Sequence, residues 1–265
     1  MSSIDSVATT LCRLLGIPYP QGANADPLEV ILREAKRILG NNKVDKVLAY
    51  APDAIGDVMY TAYKDDFIPV IATAPIMVEL DSVFPSKTPI CFRSMFTGSQ
   101  PDKDEISHLM KREVIKGETI FDILPINDIK VAIVAVSGSS IDKIFRNRSV
   151  DYYSMQYDPH VTLKVIEIIK DSDYDFILAY HQEYDDVSHA GDPNGDMALR
   201  AFKNNIHGFK MMVEAFNQKN KGNNRLVGFF PDHGNHFDSE KGVGTHGTKM
   251  PEDIKLRHFW GISKE

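Results

Sequence analysis

The chain has 265 residues, of which 43% are hydrophobic and 25% are charged, and its formal net charge is −7. These values are typical of an ordinary globular protein that can bury a sizeable core, and the acidic balance argues against a general nucleic-acid-binding surface. Cys12 and Cys91 form no CxxC pattern, and no run approaches the roughly 18 apolar residues of a membrane span, so neither a disulfide framework nor a membrane-spanning segment is expected.

Short apolar runs alternate with helical periodicity along the chain, which predicts an α/β fold with a mainly parallel central sheet. In the first part of the chain we predict a helix over residues 4–15, a helix over 27–39 that stops at Gly40, a buried strand over 44–51, an apolar run over 67–74, and a helix from Thr88 to near Gly98.

In the second part, the continuous apolar run at 130–136 predicts a central strand, and Ser137-Gly138-Ser139-Ser140 ends it. The further predictions are a helix over 160–170, a strand over 174–180, a long helix over 196–216, a strand over 226–230 and a last strand over 256–262. No repeat or linker interrupts this pattern, so we predict a single domain over 1–265, with a small insertion over 101–158 as an alternative.

Asp53 follows a predicted strand in the sequence Ala51-Pro52-Asp53. Ligand sites in open α/β sheets form at the carboxyl ends of the strands, which makes this aspartate a candidate site residue. An aspartate at that place is also explained as the N-cap of a following helix. Asp53 alone leaves both interpretations open.

Thr88 is followed by Pro89 at the start of a helical pattern. A threonine N-cap with proline at the first helical position explains this pair structurally. The same place puts the threonine hydroxyl at the positive end of a helix, where anions bind. Threonine becomes a useful nucleophile only where a base or a metal lowers its pKa.

Asp185 and His189 lie four residues apart after a predicted strand. In a helical turn this spacing places both side chains on one face, and the pair suits zinc or a similar divalent ion. The alternative is a solvated acidic loop, because several other carboxylates are close in sequence.

Asp232-His233-Gly234 directly follows another predicted strand, and His246 stands in the glycine-rich stretch Gly244-Thr245-His246-Gly247. Buried charged and imidazole groups must be paired or bound to metal. Each of these residues alone has a structural explanation, but their joint placement favours a metal site.

The four motifs, in this order, resemble the metal-site motifs of the alkaline phosphatase superfamily, and most of all its nucleotide pyrophosphatase/phosphodiesterase branch. The resemblance extends from about Val47 to Ile262. It implies a three-layer sandwich with an alkaline phosphatase-like core and little or no cap, because the chain is short for that family.

The resemblance also implies a site with two divalent metal ions, zinc first and manganese as runner-up. Thr88 would be the nucleophile of a phosphate ester hydrolase that forms a phosphothreonine intermediate, acting on phosphodiesters, nucleotide pyrophosphates or phosphomonoesters. The implied metal ligands fall into two groups, namely Asp185, His189 and His246 for one ion, and Asp53, Asp232, His233 and the Thr88 hydroxyl for the other.

Two positions depart from the phosphodiesterase pattern. An asparagine usually lies three residues after the nucleophile, where this chain has Cys91, a weak donor, and Pro89 has no backbone N–H. Two candidate phosphate donors are therefore absent together. The groups that remain near Thr88 in sequence, or near the Asp-His-Gly motif, are the Ile90 N–H, Lys87, Arg93 and His236.

Three other functions compete with this one. A sulfatase is disfavoured because Thr88 occupies the nucleophile position and Cys91 lacks the sulfatase signature. A cofactor-independent phosphomutase shares the two-metal core but normally needs a substantial cap. A non-catalytic relative that binds metal or a phosphorylated ligand is the alternative from another class.

For partners, we expect a small phosphate ester as substrate, no nucleic acid, no membrane, and a possible homo-oligomer. The N-terminus lacks a positive segment followed by an apolar one, so we expect a cytoplasmic protein without a secretory signal.

Overall fold

The computed structural model describes residues 2–265, and a seven-stranded sheet runs through its centre. Six of its strands, in chain order, are β1 (Lys46–Pro52), β2 (Ile76–Asp81), β3 (Val131–Val136), β4 (Asp151–Met155), β5 (Phe176–His181) and β6 (Arg225–Phe229). The seventh is β9 (Lys255–Ser263), and a separate two-stranded ribbon is formed by β7 (His236–Asp238) and β8 (Val243–Thr245).

The strands of the central sheet lie in the order β2-β9-β6-β1-β5-β3-β4. All neighbours from β6 to β4 pair in parallel, whereas β9 pairs antiparallel with both β6 and β2. The carboxyl ends of β1, β5 and β6 therefore meet at one edge of the sheet, with β1 in the middle. The predicted mainly parallel α/β sheet is confirmed.

Helices cover both faces of this sheet. The helices in chain order are α1 (Ser6–Leu15), α2 (Glu29–Leu39), α3 (Asp57–Ala62), α4 (Ile68–Thr73), α5 (Thr88–Thr97), α6 (Lys103–Leu109), α7 (Ile120–Ile126), α8 (Ser140–Ile144), α9 (Asp158–Asp171), α10 (Glu183–Ala190), α11 (Asp196–Lys219) and α12 (Pro251–Ile254), with a 3₁₀ turn at Lys64–Phe67. None of the helices in residues 2–265 has the length and apolar character that crossing a bilayer requires.

Strand β1 shows how the layers are built, because all of its residues are buried. Val47 and Ala49 contribute to the apolar cluster beneath α1, α2, α5, α7 and α8, whereas Leu48 and Tyr50 contribute to the cluster beneath α4, α9 and α11. Successive side chains of a strand point to opposite faces of the sheet, so the sequence of a strand that is buried on both faces is a continuous apolar run. The predicted three-layer sandwich is confirmed.

Residues 101–158, considered above as an insertion, contain β3 and β4, which are both strands of the central sheet. The apolar run at 67–74 forms α4 rather than a strand. Strand β2 and strand β4 were not predicted, because both are only partly buried and their apolar residues are interrupted by polar ones.

Strand β9 fixes the segment that carries Asp232. The buried His258 side chain donates from Nε2 to the Pro231 carbonyl oxygen at 2.7 Å, and the Ser82 hydroxyl donates to the Asp232 carbonyl oxygen at 2.7 Å. The backbone on both sides of this turn is therefore tied to neighbouring elements. This places the Asp232 side chain on a rigid support at the edge of the sheet.

We expect Gly261→Ala to lower the free energy of unfolding by about 1–3 kcal/mol, since overpacking a filled core costs that much. A Cβ atom at Gly261 would lie 2.1 Å from the Thr73 carbonyl oxygen and 3.0 Å from Ala74 Cα, and both are backbone atoms. Urea unfolding measures the change. Gly222→Ala is the control, because nothing lies within 4 Å of a Cβ there. Equal stability of the two variants would contradict the packing described for β9.

Candidate metal centre

The first group of candidate ligands comes from two neighbouring strands. Asp53 directly follows β1, and Asp232 and His233 follow β6 after a two-residue step. One ligand atom from each of the three residues lies within 4.8 Å of the other two. Asp53 does not cap a helix, since α3 begins only at Asp57 and Gly56 is its N-cap. Its interpretation as an N-cap is therefore wrong.

The second group is brought together by α10 and the β7–β8 ribbon. Asp185 and His189 lie one turn apart on α10, which begins two residues after β5, and His246 directly follows β8. Their ligand atoms also lie within 4.8 Å of one another. Asp185 is buried within a helix, so the alternative of a solvated acidic loop is wrong.

The two groups are adjacent. The rings of His233 and His246 stack with their centroids 3.9 Å apart and their planes inclined by 16°. His189 lies next to His246, with a centroid separation of 4.9 Å. The six side chains therefore form one cluster at the carboxyl edge of the sheet.

Backbone carbonyls fix the orientation of all three imidazole rings. Nδ1 of His233 lies 3.0 Å from the Gly234 oxygen, Nδ1 of His189 lies 3.0 Å from the Gly244 oxygen, and Nδ1 of His246 lies 2.7 Å from the Ser86 oxygen. A carbonyl oxygen only accepts, so each Nδ1 carries a hydrogen. In the neutral ring, Nε2 is then left with a free lone pair, which is the arrangement found in metal-binding histidines.

These lone pairs are directed at one another and at carboxylates. Nε2 of His189 lies 3.0 Å from Nε2 of His246, and Nε2 of His233 lies 3.3 Å from the nearer Asp53 oxygen. One oxygen of Asp232 and one of Asp185 are buried without a hydrogen-bond partner. Facing acceptors repel unless a proton or a cation lies between them, so the donor set fits two divalent metal ions.

The ionisation of the carboxyl groups reflects this crowding. Burial, with the charges of Asp232 and Asp185 added, raises the pKa of Asp53 well above its ordinary value, and burial raises that of Asp232 as well. Burial also opposes the ionisation of Asp185, but the hydrogen bond with His189 and the nearby imidazoles outweigh it and lower the Asp185 pKa to about 2. Because a metal ion binds the ionised form of a carboxyl group, a cation would compete with protons at Asp53 and Asp232.

Thr88 lies at the first group. Its hydroxyl is 3.2 Å from Nε2 of His233 and 3.3–3.4 Å from the two Asp53 oxygens. Helix α5 begins at Thr88 itself, its N-cap is Lys87, and the threonine hydroxyl caps no backbone N–H. The N-cap interpretation is wrong by one residue, and the hydroxyl faces the first ligand group without a capping role.

Several solved structures are similar to this chain, among them the three that follow. The C-terminal periplasmic domain of the phosphoethanolamine transferase EptC from Campylobacter jejuni has 14% identity and a TM-score of 0.58, over 83% of this chain and 80% of that one. The EptC domain from Escherichia coli in complex with Zn has 14% identity and a TM-score of 0.54, over 85% and 75%. Murine ectonucleotide pyrophosphatase/phosphodiesterase 5 has 18% identity and a TM-score of 0.55, over 74% and 59%.

All three of these similar proteins are members of the alkaline phosphatase superfamily. The chain has the alkaline phosphatase superfamily fold. No family model matches the sequence, and no curated protein matches it either. At these identities the likeness is one of architecture, and it confirms the alkaline phosphatase-like core that the order of the four motifs predicts.

Within this alkaline phosphatase-like core, Tyr180 is a site residue that the sequence analysis missed. It is the penultimate residue of β5, it is fully buried, and its hydroxyl donates a short hydrogen bond to Oδ2 of Asp53. The second Asp53 oxygen, Oδ1, faces His233. A tyrosine at the carboxyl end of a buried strand, next to the strand of a candidate ligand, is the signal that was available.

Most of the candidate phosphate donors are occupied by other contacts. The Ile90 N–H donates to the Lys87 carbonyl oxygen, and the Arg93 guanidinium donates to Glu105 and Ser99. Nδ1 of His236 lies 2.7 Å from an Asp253 oxygen. The buried Cys91 thiol contacts the Ser82 hydroxyl at 3.2 Å, away from Thr88.

We expect metal to stabilise the protein more at about pH 8 than at about pH 6. The hydrogen bond with Asp185 raises the His189 pKa, and burial raises those of Asp53 and Asp232, so at lower pH protons occupy the atoms that a metal needs. A free metal concentration of 100 times Kd adds about 2.7 kcal/mol. Thermal unfolding with zinc and with chelator measures the difference. Equal shifts at the two pH values would contradict proton competition.

We expect Tyr180→Phe to weaken zinc binding by about tenfold to a hundredfold, because loss of a hydrogen bond to a metal ligand has effects of that size. The phenyl ring keeps the edge contact with Phe92, whose centroid lies 5.5 Å away. Competition with a chromophoric chelator measures the affinity. Tyr152→Phe is the control, since that hydroxyl donates to the Phe145 carbonyl far from Asp53. An unchanged affinity in Tyr180→Phe would exclude this role for the tyrosine.

Proposed function

We propose that the protein is a metal-dependent phosphate ester hydrolase in which Thr88 is the nucleophile. One observation carries this proposal. The Thr88 hydroxyl lies between the imidazole of His233 and the carboxylate of Asp53, both of which belong to a candidate ligand group. A hydroxyl with no capping role, placed among metal ligands, matches what an activated nucleophile requires.

The chain's own residues would hold and orient the reactants. Asp185, His189 and His246 would bind one ion, and Asp53, Asp232, His233 and the Thr88 hydroxyl would bind the other. Zinc suits this mixture of imidazole and carboxylate ligands best, and manganese is second. When bound, the ions supply positive charge that lowers the pKa of the attacking hydroxyl and stabilises the phosphoryl and leaving oxygens.

The local hydrogen bonds favour attack by Thr88. Its hydroxyl donates towards Asp53, so the Asp53 carboxylate is in place to take the proton. The oxygen then forms a bond to phosphorus while the bond from phosphorus to the leaving oxygen breaks, which gives a phosphothreonine. Thr88 is also the first residue of α5, and the positive end of that helix favours the anionic substrate. Attack of water on the phosphothreonine completes the hydrolysis.

Transfer to an alcohol is the second candidate function. Two of the similar structures are domains of EptC, and the Campylobacter jejuni protein is named as a phosphoethanolamine transferase. The chain spans 80% and 75% of those domains but only 59% of the murine phosphodiesterase. The same phosphothreonine would serve both reactions, and the acceptor would decide between them. Product analysis with and without an added alcohol separates the two.

We expect Thr88→Ala to lower kcat on an aryl phosphate ester by at least a thousandfold while the protein still binds about two equivalents of zinc. The six imidazole and carboxylate ligands remain in this variant, but the attacking oxygen is gone. Steady-state kinetics and elemental analysis give the two values. Thr88→Ser should retain measurable turnover. Full activity of Thr88→Ala, or less than one equivalent of metal in the wild-type protein after loading, would refute the proposal.

A further inference from the structure

Lys87 is a cation without a counterion beside the proposed nucleophile. It directly precedes Thr88, its side chain is partly buried, and no carboxylate of residues 2–265 forms an ion pair with it. A half-buried ammonium group whose charge no carboxylate offsets attracts anions. Lys87 is therefore a candidate anion-binding group next to Thr88 in the chain.

Gly247 shows where the Lys87 side chain runs. A Cβ atom at Gly247 would lie 2.4 Å from Cε of Lys87 and 3.1 Å from its Nζ, so the lysine stem occupies the space that glycine leaves open. Gly247 has a φ of +104°, which itself favours glycine, and it directly follows His246. The ammonium group thus lies against the loop that carries a candidate ligand of the second group.

The positive charge of Lys87 affects the pKa of a histidine in each candidate ligand group. Burial is the main cause of the lowered pKa values of His233 and His246, and the positive charge of Lys87 lowers both further. His233 belongs to the first ligand group and His246 to the second. Lys87 directly precedes Thr88 in the chain, and its ammonium lies beside Gly247, the residue after His246.

We propose that the Lys87 ammonium binds a phosphoryl oxygen of the substrate and makes the site selective for phosphoryl groups with two negative charges. This inference rests on the proposed function of the same site. Of the four candidate donors near Thr88 and the Asp-His-Gly motif, the Ile90 N–H and Arg93 donate to other groups and Nδ1 of His236 contacts Asp253. Lys87 is the one of the four that carries a full positive charge without an ion-pair partner among residues 2–265. A full positive charge, unlike a neutral amide, stabilises a dianion more than a monoanion.

The substrate class follows from this charge. A phosphate monoester is a dianion at neutral and alkaline pH, and so is the phosphothreonine, whereas a simple diester carries one negative charge. Lys87 would therefore favour phosphate monoesters over phosphate diesters whose two ester groups are uncharged. It would also stabilise the phosphothreonine intermediate. Diesters that bear a second anionic group near phosphorus would regain part of this advantage.

The test compares Lys87→Gln and Lys87→Arg with Lys249→Gln. Lys249 is an exposed lysine two residues after Gly247, and its Nζ lies 5.0 Å from the ring centre of Phe84, so its variant controls for loss of surface charge. Calorimetric titration of the zinc-loaded proteins would use inorganic phosphate, methyl phosphate and dimethyl phosphate at about pH 8. These probes report binding without turnover.

For Lys87→Gln we expect about tenfold to a hundredfold weaker binding of inorganic phosphate and methyl phosphate, and at most about a threefold change for dimethyl phosphate. Lys87→Arg should restore most of the loss, because the charge is kept, and Lys249→Gln should bind all three probes like the wild type. The kcat/KM ratio of aryl monoester to aryl diester should fall by about tenfold in Lys87→Gln.

Several outcomes would overturn the proposal. They are wild-type affinity for phosphate in Lys87→Gln, an equal loss for methyl and dimethyl phosphate, or a loss that Lys87→Arg does not restore while metal content is unchanged. Failure of the proposed function is distinguishable from these results. If the wild-type protein binds phosphate in a Lys87-dependent way but hydrolyses no ester, the hydrolase assignment fails and the role of Lys87 in phosphate binding is supported.

Discussion

The convergence of three imidazole lone pairs and three carboxylates is the constraint that shapes this protein, and five of these six side chains are buried, His189 being the exposed one. His189, His233 and His246 each donate the Nδ1 hydrogen to a backbone carbonyl oxygen, so in the neutral rings the Nε2 atoms carry no hydrogen. The cost of burying such a cluster falls only when protons or cations enter it. The sheet, the helices and the ribbon around the cluster act together to hold these acceptors close despite their repulsion.

The parallel sheet is what makes this possible. Strand β1 lies between β5 and β6, and the carboxyl ends of all three strands reach the same edge. Residues that are far apart in the chain, such as Asp53 and Asp232, therefore leave the sheet side by side. The Asp53 N–H also donates to the His181 carbonyl at the end of β5. The carboxylate thus lies at the ends of two strands that are buried along their whole length.

Much of this arrangement is readable from the sequence. Long apolar runs and strong helical periods predicted the central strands and the longer helices, and polar residues at strand ends predicted where the site residues would lie. The partly buried edge strands β2 and β4 escaped because their hydrophobic pattern is interrupted, and pairing decides their conformation. The capping interpretations of Asp53 and Thr88 were wrong for a related reason. A helix cap bonds to a backbone N–H close by in sequence, whereas these two side chains contact residues that are distant in sequence.

The contacts of individual side chains were out of reach of the sequence. Nothing in the pattern around Tyr180 shows that its hydroxyl meets Asp53, and nothing around Lys87 shows that it runs past Gly247. Both contacts join residues more than 100 positions apart, and both depend on which way a strand or loop turns its side chains. The sequence therefore identifies the types of candidate ligand residue, whereas the fold determines which neighbouring groups orient these ligands and change their affinity for metal.

The β7–β8 ribbon links the two candidate ligand groups, since His233 precedes it and His246 follows it. The turn of this ribbon, at residues 239–242, is exposed to solvent. Lengthening that turn would leave the paired strands and both histidines in place, whereas a one-residue slip of the pairing would reverse the side chains of β8. The turn can therefore accept inserted residues that contact a ligand while the spacing of the two candidate ligand groups is kept.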